Sequence, residues 1–444
     1  MKQGWELFLA FDMQLLPLIV PFPFSSPHLF PHSSFPALTS AMFRGKEFLV
    51  AVLQNSEEAV RPNLFLHLTA YADSTQVTLT STDGGSFHET INLRKDQTSP
   101  ISIPGALELI NRRISQKSLL VTSTKDISVV ITSSKTYTVG ATAVLPTAVL
   151  GNEYYVVTPT DAAKEGLKEF AVVAGKEPST ISIKIKGKLY FRGRNYRSGS
   201  TLSVPLRPYE SLQLQSEDDL SGTKVTSDNA IAVFSGHTCA KVNSGCDYVV
   251  EQLLPVSAWG KAYIVPPNPL QKAHDFVYVV AAQDGSISYH EGSAATTKNV
   301  EAGEVKVFKL RPNSPFYVTS SVEIQVVLFF TGSRGYYVWQ DPFLLTIPPI
   351  SSYCASYRFT GLNAYNYVLL VAKNSDTNAI AQQKGSDREW KEIPGTEYSW
   401  SMHSLSSSYS SWSSENERAT FGLLGFGFMN YVGYGFAGLC ATCK

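Results

Sequence analysis

Apolar and polar residues alternate along most of this chain, in short runs broken by turn residues. An apolar run at 48–53 is followed by alternating stretches at 64–71 and 76–81, separated by a polar turn at Asp73. Asp83, Gly84 and Gly85 mark a hairpin; 87–93 then alternates again and 99–104 suits an edge strand. Period-two alternation sets one face of each strand against a core and the other in solvent. The stretch 119–133 predicts a strand, a turn and a second strand. Its pattern is Val-Thr-Ser, three variable residues, then Ile followed by alternating apolar positions, and it returns at 223–236 and 316–330. Strand–turn–strand signatures at 170–185 and 276–289, and strands led by Gly199 and Gly303, complete the inventory. No stretch keeps a helical period over a dozen residues; 107–114 alone suggests a short helix. The expected fold class is all-β, built as tandem β-sandwich-like units of roughly 100 residues.

A longer phrase supports the repeat. Residues 144–159 read Val-Leu-Pro-Thr-Ala-Val-Leu-Gly-Asn-Glu-Tyr-Tyr-Val-Val-Thr-Pro, and 253–267 read Leu-Leu-Pro-Val-Ser-Ala-Trp-Gly-Lys-Ala-Tyr-Ile-Val-Pro-Pro. A weaker version runs from Thr346 to Gly361. Segments of this length can close cores of their own. The predicted units are 44–150, 151–259, 260–350 and a degenerate fourth at 351–444. The serine-rich stretch 401–414 of the fourth is read as a flexible loop or an exposed edge. Residues 1–43 are expected to be an atypical leader or linker, poorly ordered. Their apolar part is interrupted by Glu6, Asp12 and several prolines, which suits neither a membrane-spanning helix nor a clean signal peptide.

Composition narrows the function. Lys plus Arg number 37 and Asp plus Glu 37, so no basic field is available to recruit nucleic acid, and no segment is expected to span a membrane. Charged residues make up 17% of the chain, below the roughly 25% of an average soluble protein. The five cysteines are Cys239, Cys246, Cys354, Cys440 and Cys443. Cys239 and Cys246 flank a short polar stretch that a disulfide bridges easily, which would place the chain in an oxidising compartment. Two free buried thiols are the alternative. Cys354 has Cys440 as its candidate partner, with Cys443 as the alternative; either pairing leaves an odd thiol for another chain.

Candidate chemistry is sparse. His237 near Cys239 has the residue types of a Cys–His nucleophile, but a bridged cysteine would remove it. His28 and His32 lie among prolines that disfavour a shared helical face. Glu217, Asp218 and Asp219 are consecutive and do not alternate as calcium ligands do. Gly433, Gly435 and Gly438 form a Gly-x-Gly-x-x-Gly with no helix or acid after it. The expectation is no catalytic residue, no metal and no cofactor. Tyr336, Tyr337, Trp339, Tyr398 and Trp400 are the candidate ligand-contact aromatics.

The opening at 45–55 (Gly-Lys-Glu-Phe-Leu-Val-Ala-Val-Leu-Gln-Asn), the block at 225–239 and the block at 246–260 resemble the N-terminal domain family of IgG Fc-binding proteins. The resemblance covers about Arg44 to Gly438. It implies a secreted, non-enzymatic binding or adhesion module that recognises a protein or glycan. It carries over no residue-level Fc contact. The alternatives are a structural component of mucus or extracellular matrix without a discrete ligand, and a carbohydrate-active enzyme on a β scaffold. Paired carboxylates converging in one cleft would mark the enzyme; a contiguous exposed aromatic patch would mark the binder.

Overall fold

Three long strands organise the protein: Leu119–Lys135, Lys224–Ala240 and Phe316–Phe330. Each covers a stretch that the sequence divides into strand, turn and strand. The polar residues before Ile127, Ile231 and Ile324 do not reverse the chain; both halves keep antiparallel partners, so the strand bends and continues. In the first sheet the leading half pairs with Gly45–Val50 and Thr75–Ser81, and the trailing half with Asn63–Ala70 and Thr138–Val144. His88–Leu93 and Thr98–Ile103 extend the two halves outward. Two four-stranded layers thus share one bent strand and enclose Phe48, Leu66, Val77 and Val129, all at most 1% exposed. The computed structural model describes residues 42–442 apart from 57–59, 160–164, 244, 292–293, 335–338, 363–364, 383–388, 407, 417 and 430. The described residues belong to one compact body. The predicted leader lies outside them except for Met42 and Phe43, which are buried.

The same order of pairing appears twice more. The trailing half of Lys224–Ala240 pairs with Lys168–Ala174 and Asp247–Gln252, and that of Phe316–Phe330 with Asp275–Ala281 and Phe343–Ile347. In the last region the long strand is interrupted, giving Tyr409–Ser414 and Phe421–Met429 in separate sheets. The serine-rich stretch is therefore strand, Tyr398–Leu405 and Tyr409–Ser414, rather than loop; Trp400 and Trp412 are its large buried side chains. The helix suggested at 107–114 is also absent. A single 3-10 turn occupies Gly105–Leu107, and Arg113–Ser115 is a short strand added to Ser211–Ser216 of the second sheet. Its apolar residues are too few to hold a helix against that pairing.

The repeated phrase has a physical meaning. Pro146, Pro255 and Pro349, in extended backbone, each lead into a 3-10 turn: Thr147–Val149, Val256–Ala258 and Ile350–Ser352. Proline suits this point because it has no N–H to satisfy and its φ is preset. The tyrosine that follows ties the next strand to the long strand. Gly151 N–H donates to Tyr154 Oη (3.0 Å), which donates to Ile231 O (2.6 Å). Gly260 N–H donates to Tyr263 Oη (2.8 Å), which donates to Ile324 O (2.6 Å). Cys354 N–H likewise donates to Tyr357 Oη (2.8 Å). Each proline also seats on a glycine earlier in the chain. A Cβ on Gly45 would lie 2.5 Å from Pro146 Cβ, one on Gly151 2.6 Å from Pro255 Cβ, and one on Gly260 2.5 Å from Pro349 Cβ.

At the centre, four inner strands pack in a ring: Thr138–Val144, Asp247–Gln252, Phe343–Ile347 and Val432–Ala437, each against the next and the last against the first. They run in one direction. Asp247 Oδ1 accepts from Val139 N (2.7 Å) and Oδ2 from Gly433 N (2.9 Å), joining the starts of three strands. Glu251 Oε2 accepts from Thr142 Oγ1 (2.8 Å) and Oε1 from Thr346 N (2.9 Å), and Gln252 Oε1 from Leu145 N (2.8 Å), joining the ends. Asp247 and Glu251 are four apart on one strand and so face the same way. Burial raises both carboxyls, Asp247 well above its ordinary range and Glu251 to about 8, against the downward pull of these donors. Around the ring lies a shared core with Val130, Val249, Val327, Phe359 and Phe436, one from each of the five larger sheets.

Candidate functional site

Each inner strand is entered from a long strand through a hairpin, so the inner strands' common direction brings the hairpins to one end of the ring. The loops are 136–137, 241–246, 331–342 and 430–431. They touch one another. Asn243 N donates to Thr331 O (3.1 Å) and Asn243 Nδ2 to Thr331 Oγ1 (2.7 Å), while Gly245 N donates to Asp341 Oδ1 (3.0 Å). Tyr431 N donates to Trp339 O (3.2 Å). The second loop is closed by the Cys239–Cys246 disulfide, with a Cα separation of 5.1 Å.

Aromatic rings gather on this pole. Tyr431 lies edge-on to Tyr137 (ring centroids 6.1 Å apart) and stacks on Trp339 (5.9 Å), and the Arg334 guanidinium lies 4.2 Å from the Trp339 ring centre. Tyr137 is 70% exposed and Tyr431 39%. Both sit at the second position of a two-residue hairpin, between Lys135 and Thr138 and between Met429 and Val432, and both have φ of +64°. Glycine or asparagine is the usual choice there, since a left-handed conformation costs an ordinary residue about 1–2 kcal/mol. Tyr137, with its ring largely in solvent, gains little from burial to offset the cost, and Tyr431 gains its contacts with Tyr137 and Trp339. Strain of this kind concentrates at functional sites.

The predicted site residues are distributed unequally. Trp339 belongs to the cluster, half-buried. Tyr336 and Tyr337 lie outside the described residues. Trp400 is buried at 2% exposure and Tyr398 half-buried on Tyr398–Leu405, beneath Lys391 and Lys373 respectively. Tyr137 and Tyr431 escaped the sequence reading. Their signal was present, as tyrosine where a tight turn between alternating runs ordinarily has glycine. A second disulfide joins Cys354 to Cys440, with Cα atoms 5.9 Å apart. Cys443 lies outside the described residues.

The polar groups beneath the pole are structural. His237 is fully buried and its Nδ1 accepts from Cys239 N (3.0 Å); burial, then the Lys168 charge, lowers its pKa to about 3, so the ring is neutral. With Cys239 in a disulfide, the Cys–His pair has no thiol to activate. Burial also raises Asp275, to about 7, and Glu169 well above its ordinary range. Both are sealed from solvent, with Asp275 accepting from Thr331 N (2.9 Å) and Glu169 from Gln215 Nε2 (2.8 Å). Among the described residues no group of three or more His, Cys, Asp or Glu is placed to hold a metal, and no helix is long and apolar enough to cross a membrane.

Comparison with known proteins adds the lineage. The IgGFc-binding protein of Homo sapiens is 35% identical over 404 residues, which is 89% of this chain and 7% of that protein. The chain therefore spans a small part of its relative. Among solved structures, one titled for a Ca2+-stabilized adhesin that helps an Antarctic bacterium bind ice aligns with 90% of this chain and 99% of its own, at 10% identity and a TM-score of 0.13. The major pilin of Streptococcus pyogenes aligns with 64% of this chain and 99% of its own, at 8% identity and a TM-score of 0.14. Neither superposition relates the folds. The sequence profile described as IgGFc binding protein matches residues 140–427, from the first inner strand to the end of the last long one. On that match, the chain belongs to the IgGFc-binding protein family.

Proposed function

We propose that this chain is a non-enzymatic extracellular recognition module that holds a protein or glycan ligand on the aromatic pole of its ring. The observation that carries the reading is the pair of left-handed tyrosines, Tyr137 and Tyr431, brought together with Trp339 from three different sheets. Rings with a polar edge and an apolar face suit either ligand class. Two disulfides support an oxidising compartment. The sheets themselves are read as successive versions of one unit, at 44–150, 151–259, 260–350 and 351–444. The recurring proline, glycine and tyrosine contacts support that division. Neither Fc nor any other ligand of the human relative is assigned to this chain.

The test is Tyr137→Gly with Tyr431→Gly, assayed on a glycan array and in an immunoglobulin pull-down beside the unaltered protein. Glycine accepts the left-handed φ, so thermal stability should hold or rise. Binding should fall about 30-fold, as for an interface hot spot. Undiminished binding by the double variant, or silence of the unaltered protein in both assays, would overturn the reading. Silence would move the module toward a purely structural role in mucus or matrix.

A further inference from the structure

The third sheet carries an open cleft where the second is filled. In the second sheet the outer strand Ser211–Ser216 is covered by Arg113–Ser115, with Ser211 opposite Ser115 and Gln213 opposite Arg113. A hairpin, Lys188–Phe191 and Arg194–Arg197, lies beside the same strand; Ser216 Oγ donates to Lys188 O (2.6 Å), and Leu189 and Phe191 are buried. That hairpin fits between Ser179–Lys184 and Thr201–Leu206 in sequence. In the third sheet the corresponding strands, Gly285–Glu291 and Ala294–Val300, are separated by two residues, which leaves no room for one. The corresponding outer strand, Val305–Leu310, pairs on one side with Asp275–Ala281 and among the described residues has no strand on the other.

A cavity of about 1160 Å³ opens at this edge. Lys298, Lys306, Lys309, Arg311, His274 and His290 line it, and no carboxylate is among its lining residues. Lys306 pairs with Glu304 just outside, and Lys298 lies over the Tyr289 ring. The chain as a whole is neutral, so this local excess is a property of the site. Tyr289, Phe308 and Phe316 pack together as its apolar wall. His290 also lines an adjoining cavity of about 190 Å³, and its buried Nδ1 has no partner among the described residues.

We propose that this cleft takes an acidic, extended peptide, added as a strand to the open edge of Val305–Leu310. Backbone hydrogen bonds to a sheet edge supply affinity, and alternate side chains supply choice. The lysines that bar a like-charged edge from pairing here attract carboxylates along an incoming strand. Arg113–Ser115 shows the geometry on the equivalent edge of the second sheet.

The probes are a peptide alternating Glu and Val over about eight residues, its Lys and Val counterpart, and a sulfated hexasaccharide. The acidic peptide should bind, more weakly as salt rises, and should slow amide exchange at 305–310. Lys306→Glu with Lys309→Glu should weaken it at least about tenfold. Lys309→Ala, at an exposed position, should weaken it less and fold normally. The Tyr137→Gly, Tyr431→Gly protein should bind it unchanged, which separates this site from the pole. Equal binding of the Lys–Val peptide, binding of the hexasaccharide alone, or acidic-peptide binding without slowed exchange would each overturn the proposal.

Discussion

The point where the third sheet meets the last region and the point where the last region closes solve one packing problem differently. At the first, Gly260 lies under Pro349, with no room for a Cβ between them. Cys354 occupies the place that Gly260 and Gly151 hold in their own phrases, three residues before the tying tyrosine. Its side chain is bonded to Cys440. A contact between small apolar groups is thus replaced by a covalent bond at the same step of the pattern. The difference teaches that the glycine is demanded by its neighbour rather than by the backbone, since a larger residue stands at the same step where the partner is a cysteine.

The largest effect should come from removing that bond. Cys354 and Cys440 are 86 residues apart, so Cys354→Ala with Cys440→Ala should cost about 4.6 kcal/mol by loop entropy. Cys239 and Cys246 are seven apart, and their loss should cost about 2 kcal/mol. Urea unfolding midpoints compare the two; a costlier short bridge would break the comparison. Next, Gly260→Ala should cost about 2 kcal/mol through overpacking against Pro349. Adding Pro349→Ala should recover part of that loss, and simple additivity of the pair would show that the proline does not impose the glycine.

The smallest effect, taken per pH unit, is a slope. Burial raises Glu251 in the folded state, so the carboxyl keeps its proton there while the unfolded chain has lost its own. The associated stability is complete below the unfolded pKa, near 4.3, and is lost as pH rises toward about 8. Asp275 acts in the same direction, up to about 7. Glu251→Gln should remove one such contribution, at most about 1.4 kcal/mol per pH unit, flattening the decline between pH 5 and 8. Melting temperatures across that range that fall as steeply in the variant would show that Glu251 is not held protonated.

Much of the architecture was legible in the pattern of residues, and the reasons for what was not are physical. Alternation marks strands wherever one face is buried, as at Asn63–Ala70 and Thr75–Ser81, but it does not say that 119–135 bends without turning, because polar residues at a bulge look like those in a loop. The serine-rich strands were missed because small polar residues, Ser399, Ser401 and Ser410, share their buried positions with the widely spaced rings Trp400 and Trp412. The repeated phrase could be seen but not interpreted, since the partners of Gly151 and Gly260 lie roughly ninety to a hundred residues on. Of the candidate site, Trp339 was named for its composition. Tyr137 and Tyr431 carry their message in backbone conformation, which the sequence betrays only through the absent glycine.

The closed circle of inner strands fixes how this protein can change in evolution. Every member is braced by one on each side, so deleting the stretch that encodes a single sheet would expose two apolar flanks at once, and inserting another would force them apart. Loops at the rim are free to vary in length and content, whereas the number of sheets is not.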